Sequence, residues 1–292
     1  MHSQTTPPSL DEVCSQALRL PCSPVMLPRL IDALQSEDTT AAEIEAIILL
    51  DAALAAATLR LANSAALGGR RAVESVEEAI LRLGSKEIYR LAALALVNRW
   101  GSGHDAALGG EPGDFSRHSL CTAVAAELLA EQSGAINSRT AYTAGLVCHV
   151  GKLALAHACA PFYAKIRALC TETCIPWSAA EKAVLGYDQA EASTRLLRAW
   201  RFPEALAIAV EFQADPAAAP VEAQPLLAHL HAAHYLAAAL GPGVPEEGFL
   251  FKLDGEFLAQ HGFTSDVIEA LMPDLVGRAH ARLGDRLTHG AL

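Results

Sequence analysis

The side chains best suited to chemistry in this chain are imidazoles set into apolar stretches: His118 in FSRHSL, His149 in GLVCHVGKLAL, and His229, His231 and His234 in HLHAAHYL. Asp188 and Gln189 interrupt a further apolar stretch, GYDQAEAS. Histidines on apolar helices are the material of general acid–base or metal-assisted hydrolysis, provided that a carboxylate stands beside them. His149 is followed instead by Val150, which can neither move a proton nor coordinate a cation. On a helical wheel His149 shares a stripe with Tyr142, Leu146, Val150 and Leu153, so it is expected in the core as a neutral imidazole satisfied by His118 or a backbone carbonyl. Lys152 reads as an apolar stem that carries its charge to the surface. His231 and His234 share a helix face at an i,i+3 spacing, with His229 near, but no bridging carboxylate accompanies them. Cys170 and Cys174 stand at i,i+4 with His157 as a conceivable third ligand; no fourth recurs at zinc-site spacing, and chance proximity is the better account.

The elements that must position these groups read as helices throughout, since alanine and leucine dominate and no strand-length alternation occurs. The fold class is all-α. Thr40 with Glu43, Ser75 with Glu78 and Ser178 with Glu181 have the spacing of reciprocal capping boxes, and Gly84 and Gly186 supply helix stops. In LANSAALGGRR, Asn63 and Ser64 end a helix by bonding nearby backbone, and Gly68–Gly69 make a turn; an anion-binding corner at Arg70 and Arg71 would lack a phosphate-loop lysine. Trp100 and Trp177 read as core anchors. The helical period vanishes in GSGHDAALGGEPGD and again between Gly241 and Gly248. The expected organisation is an N-terminal segment 1–18, one domain over 19–242 with lobes 19–103 and 115–242 around a linker 104–114, and a helical extension 243–292.

Composition narrows the function classes. A chain of 292 residues with 52% hydrophobic side chains buries a substantial core. A formal charge of -11 removes the phosphate attraction behind non-specific nucleic-acid binding. No apolar run approaches the roughly 20 residues that cross a bilayer, and MHSQTTPPSL lacks the pattern of a signal peptide, so no membrane insertion and a cytoplasmic location are expected. Seven cysteines, without a CxxC pair, read as reduced thiols, with Cys121 and Cys148 serving as small hydrophobes.

The order and spacing of LRLANSA, SVEEAILRLG and GLVCHVGKLAL resemble the HDOD domain family, over about residues 19 to 242. HDOD proteins are bacterial signalling proteins related to the HD-domain phosphohydrolases. The resemblance implies an N-terminal helical bundle packed on an HD-like bundle. In active HD enzymes, paired ions held by histidines and aspartates, including an adjacent His-Asp, activate water. Aligned on the family pattern, that pair reads His149–Val150, Asp188 is followed by Gln189 where relatives carry histidine, Gln213 and Ala214 replace a histidine pair, and Ala232 stands at a late aspartate. The vestigial positions are thus His118, His149, Val150, Asp188, Gln189, Gln213 and Ala232, with Lys152 and His229 lining what cleft remains. Two imidazoles, His118 and His149, fall short of a catalytic zinc set, and harder ions prefer the missing carboxylates. No metal, no cofactor and no catalysis are therefore expected.

The function that follows is a non-catalytic regulatory module, a scaffold or adaptor that acts on signalling proteins in trans, of cyclic-di-GMP or two-component pathways. The alternatives are a phosphohydrolase with an altered metal site and a nucleotide sensor without turnover.

Overall fold

The computed structural model describes residues 6–18, 29, 30, 32, 33, 36, 38–50, 52–63, 73–101, 113–240 and 253–283. Among them the only regular structure is helical, as the composition requires. The expectations for Ser64, Gly68, Gly69, Arg70, Arg71, the linker 104–112 and the break at Gly241–Gly248 lie outside the described residues, as does the side chain of Trp100. Two compact units emerge, one of Cys22–Leu96 and one of Met1–Pro21 with Val97–Leu292.

In the first unit, α2 (Ala41–Ile48) starts at Thr40 with both halves of the capping box formed: Thr40 Oγ1 accepts from Glu43 N, and Glu43 accepts from Thr40 N at 2.8 Å. After α3 (Ala52–Ala62), Asn63 does more than end a helix. Its Nδ2 donates to the Leu59 and Val73 carbonyls at 3.0 and 2.9 Å, and its Oδ1 accepts from Val73 N at 2.7 Å. One amide thereby ties Val73 to the end of α3. Ser75 Oγ accepts from Glu78 N at 3.1 Å at the start of α4 (Val76–Gly101), while Glu78 turns to Arg82. Gly84 breaks that helix at φ 74°, ψ 161°, a conformation that a side chain would strain.

The second unit is built on α5 (Asp114–Ser133), buried continuously from Ser119 to Ala130. A helix covered all round must be the centre of its bundle. Against it lie α6 (Ser138–Val147), α12 (Gln224–Ala239) and α15 (Met272–Leu283). Gly145 permits the first of these approaches, for a Cβ there would fall 2.7 Å from both Ala123 Cα and the Thr122 carbonyl oxygen. A second layer pairs α7 (Val150–Ala158) with α10 (Gln189–Ala199), and α1 (Leu10–Leu18) packs on both. Between α7 and α10 in the chain come α8 (Tyr163–Thr173) and α9 (Trp177–Leu185). α11 (Glu204–Glu211) follows α10 and packs against it. Residues 253–283 add α13 (Gly255–Gln260), α14 (Ser265–Ala270) and α15; α13 rests on α12, and Arg278 pairs with Glu131 of α5 at 2.6 Å.

The third capping expectation fails. α9 begins after Pro176, no side chain caps it, and Glu181 is buried, accepting from Trp177 Nε1 at 2.9 Å and from Gln189 N at 2.8 Å. Proline already sets the entry into the helix, which frees Glu181 to bind two donors that sequence spacing does not reveal. Trp177 is a core anchor as expected, with its ring 5.9 Å from that of Tyr163. Gly186 ends α9 in the left-handed region. No single helix among the described residues is long and apolar enough to cross a membrane.

Candidate functional site

The segment GLVCHVGKLAL is not one helix. α6 ends at Val147, Cys148 and His149 form a turn, and His149, at φ −108° and ψ 12°, precedes α7. Gly151 lies just past the break, against α10. Its N–H donates to Ser193 Oγ at 2.8 Å, and a Cβ on it would lie 2.2 Å from the Gln189 carbonyl oxygen. The start of α7 is thus pressed onto α10, and the two residues before it are turned together into the bundle.

There they meet α12. The His149 ring stacks on that of His234 with centroids 4.8 Å apart, and Cys148 Sγ lies 3.3 Å from His234 Nε2. The half-buried His118 of α5 completes the cluster, its ring centroid 5.3 Å from that of His149. Two glutamines brace it from behind. Gln213 Nε2 donates to the Cys148 carbonyl at 3.3 Å, and the Gln189 side chain hydrogen-bonds the His149 ring while accepting from Ser193 Oγ at 3.3 Å. His149 Nδ1 and Gln213 Oε1 are nevertheless buried without a hydrogen-bond partner. A buried polar atom left in that state costs about 1–3 kcal/mol. The satisfaction expected of His149 from His118 or a backbone carbonyl is thus replaced by the Gln189 side chain, and Nδ1 is left without a partner.

Burial, and then the charges of Lys152, His234 and His118, hold His149 well below the ordinary imidazole range. His234 is held down in the same way, by burial first and then by His118, His231 and Lys152. Burial pushes the Cys148 thiol up to about 12. Cys148, His149 and His234 on their own are a neutral thiol beside two neutral imidazoles.

The other residues marked in the sequence have structural employment. Asp188 caps α10, accepting from Glu191 N at 2.9 Å and pairing with Lys182 at 3.2 Å. Val150 is buried as the first residue of α7, and Ala232 is fully buried on α12, where His234, two residues on, supplies the functional group. His229 joins elements instead of joining the cluster: Nδ1 meets the Pro225 carbonyl at 2.6 Å, Nε2 meets Ser133 Oγ at 2.8 Å, and its ring packs edge-on to Phe263. His231 Nε2 accepts from Asp254 N at 2.9 Å, so the i,i+3 pair with His234 is divided between two tasks. Lys152 corrects its expectation outright. It is 1% exposed, and its electrostatic partner is the buried Glu181; burial lowers the lysine and raises the carboxyl. The stem does not reach the surface because α7 is covered by α10 and α1.

Cys148 is the member that sequence reasoning takes for a small hydrophobe, and His234 the one that it pairs with His231 instead of with His149. Among the described residues, Cys148, His149 and His234 form the one group whose ligand atoms all lie within 4.8 Å of one another. Cys170 and Cys174 are not part of such a group; Cys170 is buried on α8, and Cys174 is exposed in the left-handed region that ends it. The paired ions of the HD enzymes do not fit this donor set. It contains no carboxylate to bridge two cations, and Asp188, the aspartate that the sequence marks, is committed to a helix cap.

The architecture has known counterparts. A Geobacter sulfurreducens HDOD domain protein of unknown function superposes with a TM-score of 0.72 at 22% identity, over 94% of this chain and 97% of that one. A Shewanella amazonensis SB2B protein, described provisionally as a phosphohydrolase, gives 0.68 at 24% identity over 95% of each chain. A Marinobacter aquaeolei VT8 protein, described provisionally as a signal transduction protein, gives 0.74 at 22% identity, over 94% of this chain and 61% of that one. At these identities the likeness is one of fold. No curated protein matches the chain. The HDOD domain model itself matches residues 20–216, which takes in α2–α4, the broken segment at Cys148–His149 and the bracing glutamines, and by that match the chain belongs to the HDOD family.

Proposed function

We propose that this protein is a non-catalytic HDOD signalling module of the cytoplasm, a helical scaffold that acts through another signalling protein, of a cyclic-di-GMP or two-component pathway. The observation that carries the reading is the chemistry at the centre of the HD-like bundle. Hydrolysis of a phosphoester by paired hard cations needs carboxylate oxygens to hold them, and here the positions around His149 are filled by a thiol, imidazoles and two amides. The amides act as braces: each fixes Cys148 or His149 and neither activates water. What remains is a rigid helical body in which α5 is wrapped on all sides, the material of a binding platform.

The test is turnover. Full-length protein incubated with nucleotides and cyclic dinucleotides in the presence of manganese should release no product above buffer. Turnover that disappears in His149→Ala would overturn the reading in favour of an altered phosphohydrolase.

A further inference from the structure

We infer that Cys148, His149 and His234 form a binding site for one thiophilic divalent ion, with Zn2+ as the fitting case. Their ligand atoms lie within 4.8 Å of one another, and Cys148 Sγ and His234 Nε2 are already 3.3 Å apart. Around a single tetrahedral zinc, sulfur and nitrogen donors stand about 3.3–3.6 Å from one another, so small side-chain adjustments close the set. One thiolate and two imidazoles select zinc, cobalt or copper and reject magnesium and manganese, which take oxygen.

A second observation points independently to a ligand. His149 is 7% exposed, the Gln189 side chain engages its ring, and Nδ1 has no hydrogen-bond partner. A coordinate bond to a cation satisfies that nitrogen, which no protein group does. The ligands are also held as metal ligands usually are, by outer partners: Gln189 on the His149 ring and Gln213 on the Cys148 carbonyl. When the ion enters, the Cys148 S–H bond breaks, the proton passes to buffer, and the sulfur takes the cation. Three protein donors leave a fourth position for water. The bound ion ties the α6–α7 turn to α12 and makes the packing of the bundle centre depend on metal supply. This inference goes beyond the scaffold reading and does not rest on it, since a module without turnover can hold a structural ion.

The test is cobalt substitution in the metal-free full-length chain. One equivalent of Co2+ should produce the visible d–d bands of a tetrahedral site together with a near-ultraviolet thiolate-to-cobalt charge-transfer band. Cys148→Ser should abolish the charge-transfer band, and His234→Ala should weaken binding by about 100-fold or more. Cys174→Ser removes an exposed thiol outside the cluster and should change neither readout. X-ray absorption of the zinc-loaded wild type needs no variant and should show one sulfur and two imidazole nitrogens at the metal. The inference is overturned by the lack of a tetrahedral spectrum at one equivalent, by a charge-transfer band that survives Cys148→Ser, or by a zinc shell without sulfur.

Discussion

Gly151→Ala sets two effects of opposite sign against each other, and the structure says which wins. Within a helix, alanine is favoured over glycine by about 1 kcal/mol. At this position the new Cβ would stand 2.2 Å from the Gln189 carbonyl oxygen, 2.5 Å from Ser193 N and 2.7 Å from Ser193 Oγ. The two nearest atoms are backbone, so relief requires α7 and α10 to separate. Overpacking of this kind costs about 1–3 kcal/mol, and at 2.2 Å the upper end applies. Separation also weakens the buried bond from Gly151 N to Ser193 Oγ, worth about 1 kcal/mol. The steric and hydrogen-bond losses outweigh the propensity gain and leave a destabilisation of about 2–3 kcal/mol. For a protein of this size that lowers Tm by roughly 4–12 °C. Urea unfolding followed by far-ultraviolet circular dichroism measures it. Gly277→Ala, at an exposed position of α15 where an added Cβ meets nothing within 4 Å, isolates the propensity term and should stabilise by about 1 kcal/mol. If Gly151→Ala moves stability in the same direction as Gly277→Ala, the close approach of α7 to α10 is wrong.

Lys152→Met should destabilise the fold by about 3–5 kcal/mol, because it strands the buried Glu181 without its opposite charge, and adding Glu181→Gln should recover part of the loss; equal stability of single variant and wild type in urea would refute the pairing. His149 and His234 are both held below the unfolded histidine value of about 6.5, so the unfolded chain takes up more protons there. Their contribution is therefore complete above about pH 6.5 and lost as pH falls below it, by up to about 1.4 kcal/mol per pH unit for each histidine. Urea midpoints measured across that range should fall with acidification, and His234→Gln should flatten the slope by one histidine's share.

Local signals in the sequence located the elements well. Thr40 with Glu43, Gly84 and Gly186 act on their own neighbourhood, and each does in the fold what its spacing implies. The site was less legible because its members are brought together by packing. A helical wheel over residues 145–155 treats Cys148 as a buried hydrophobe, whereas the chain turns at Cys148 and His149, next to the close approach of Gly151 to α10, and places both in the bundle beside His234. His234 reads as one of three histidines on α12 until the surroundings of each are known, when His229 and His231 prove to hold Ser133 and Asp254. Lys152 was misplaced for the same reason: its partner Glu181 lies on another helix, and its spacing from Ser178 imitates a cap.

The central claim, that the core of the HD-like bundle has lost the means to hold paired hard cations, is tested most directly by metal content. Full-length protein exposed to excess manganese and then desalted should retain none by elemental analysis. Two manganese ions per chain, lost in His149→Ala, would contradict the account, because nothing in the cluster of Cys148, His149 and His234 offers the oxygens to bind them.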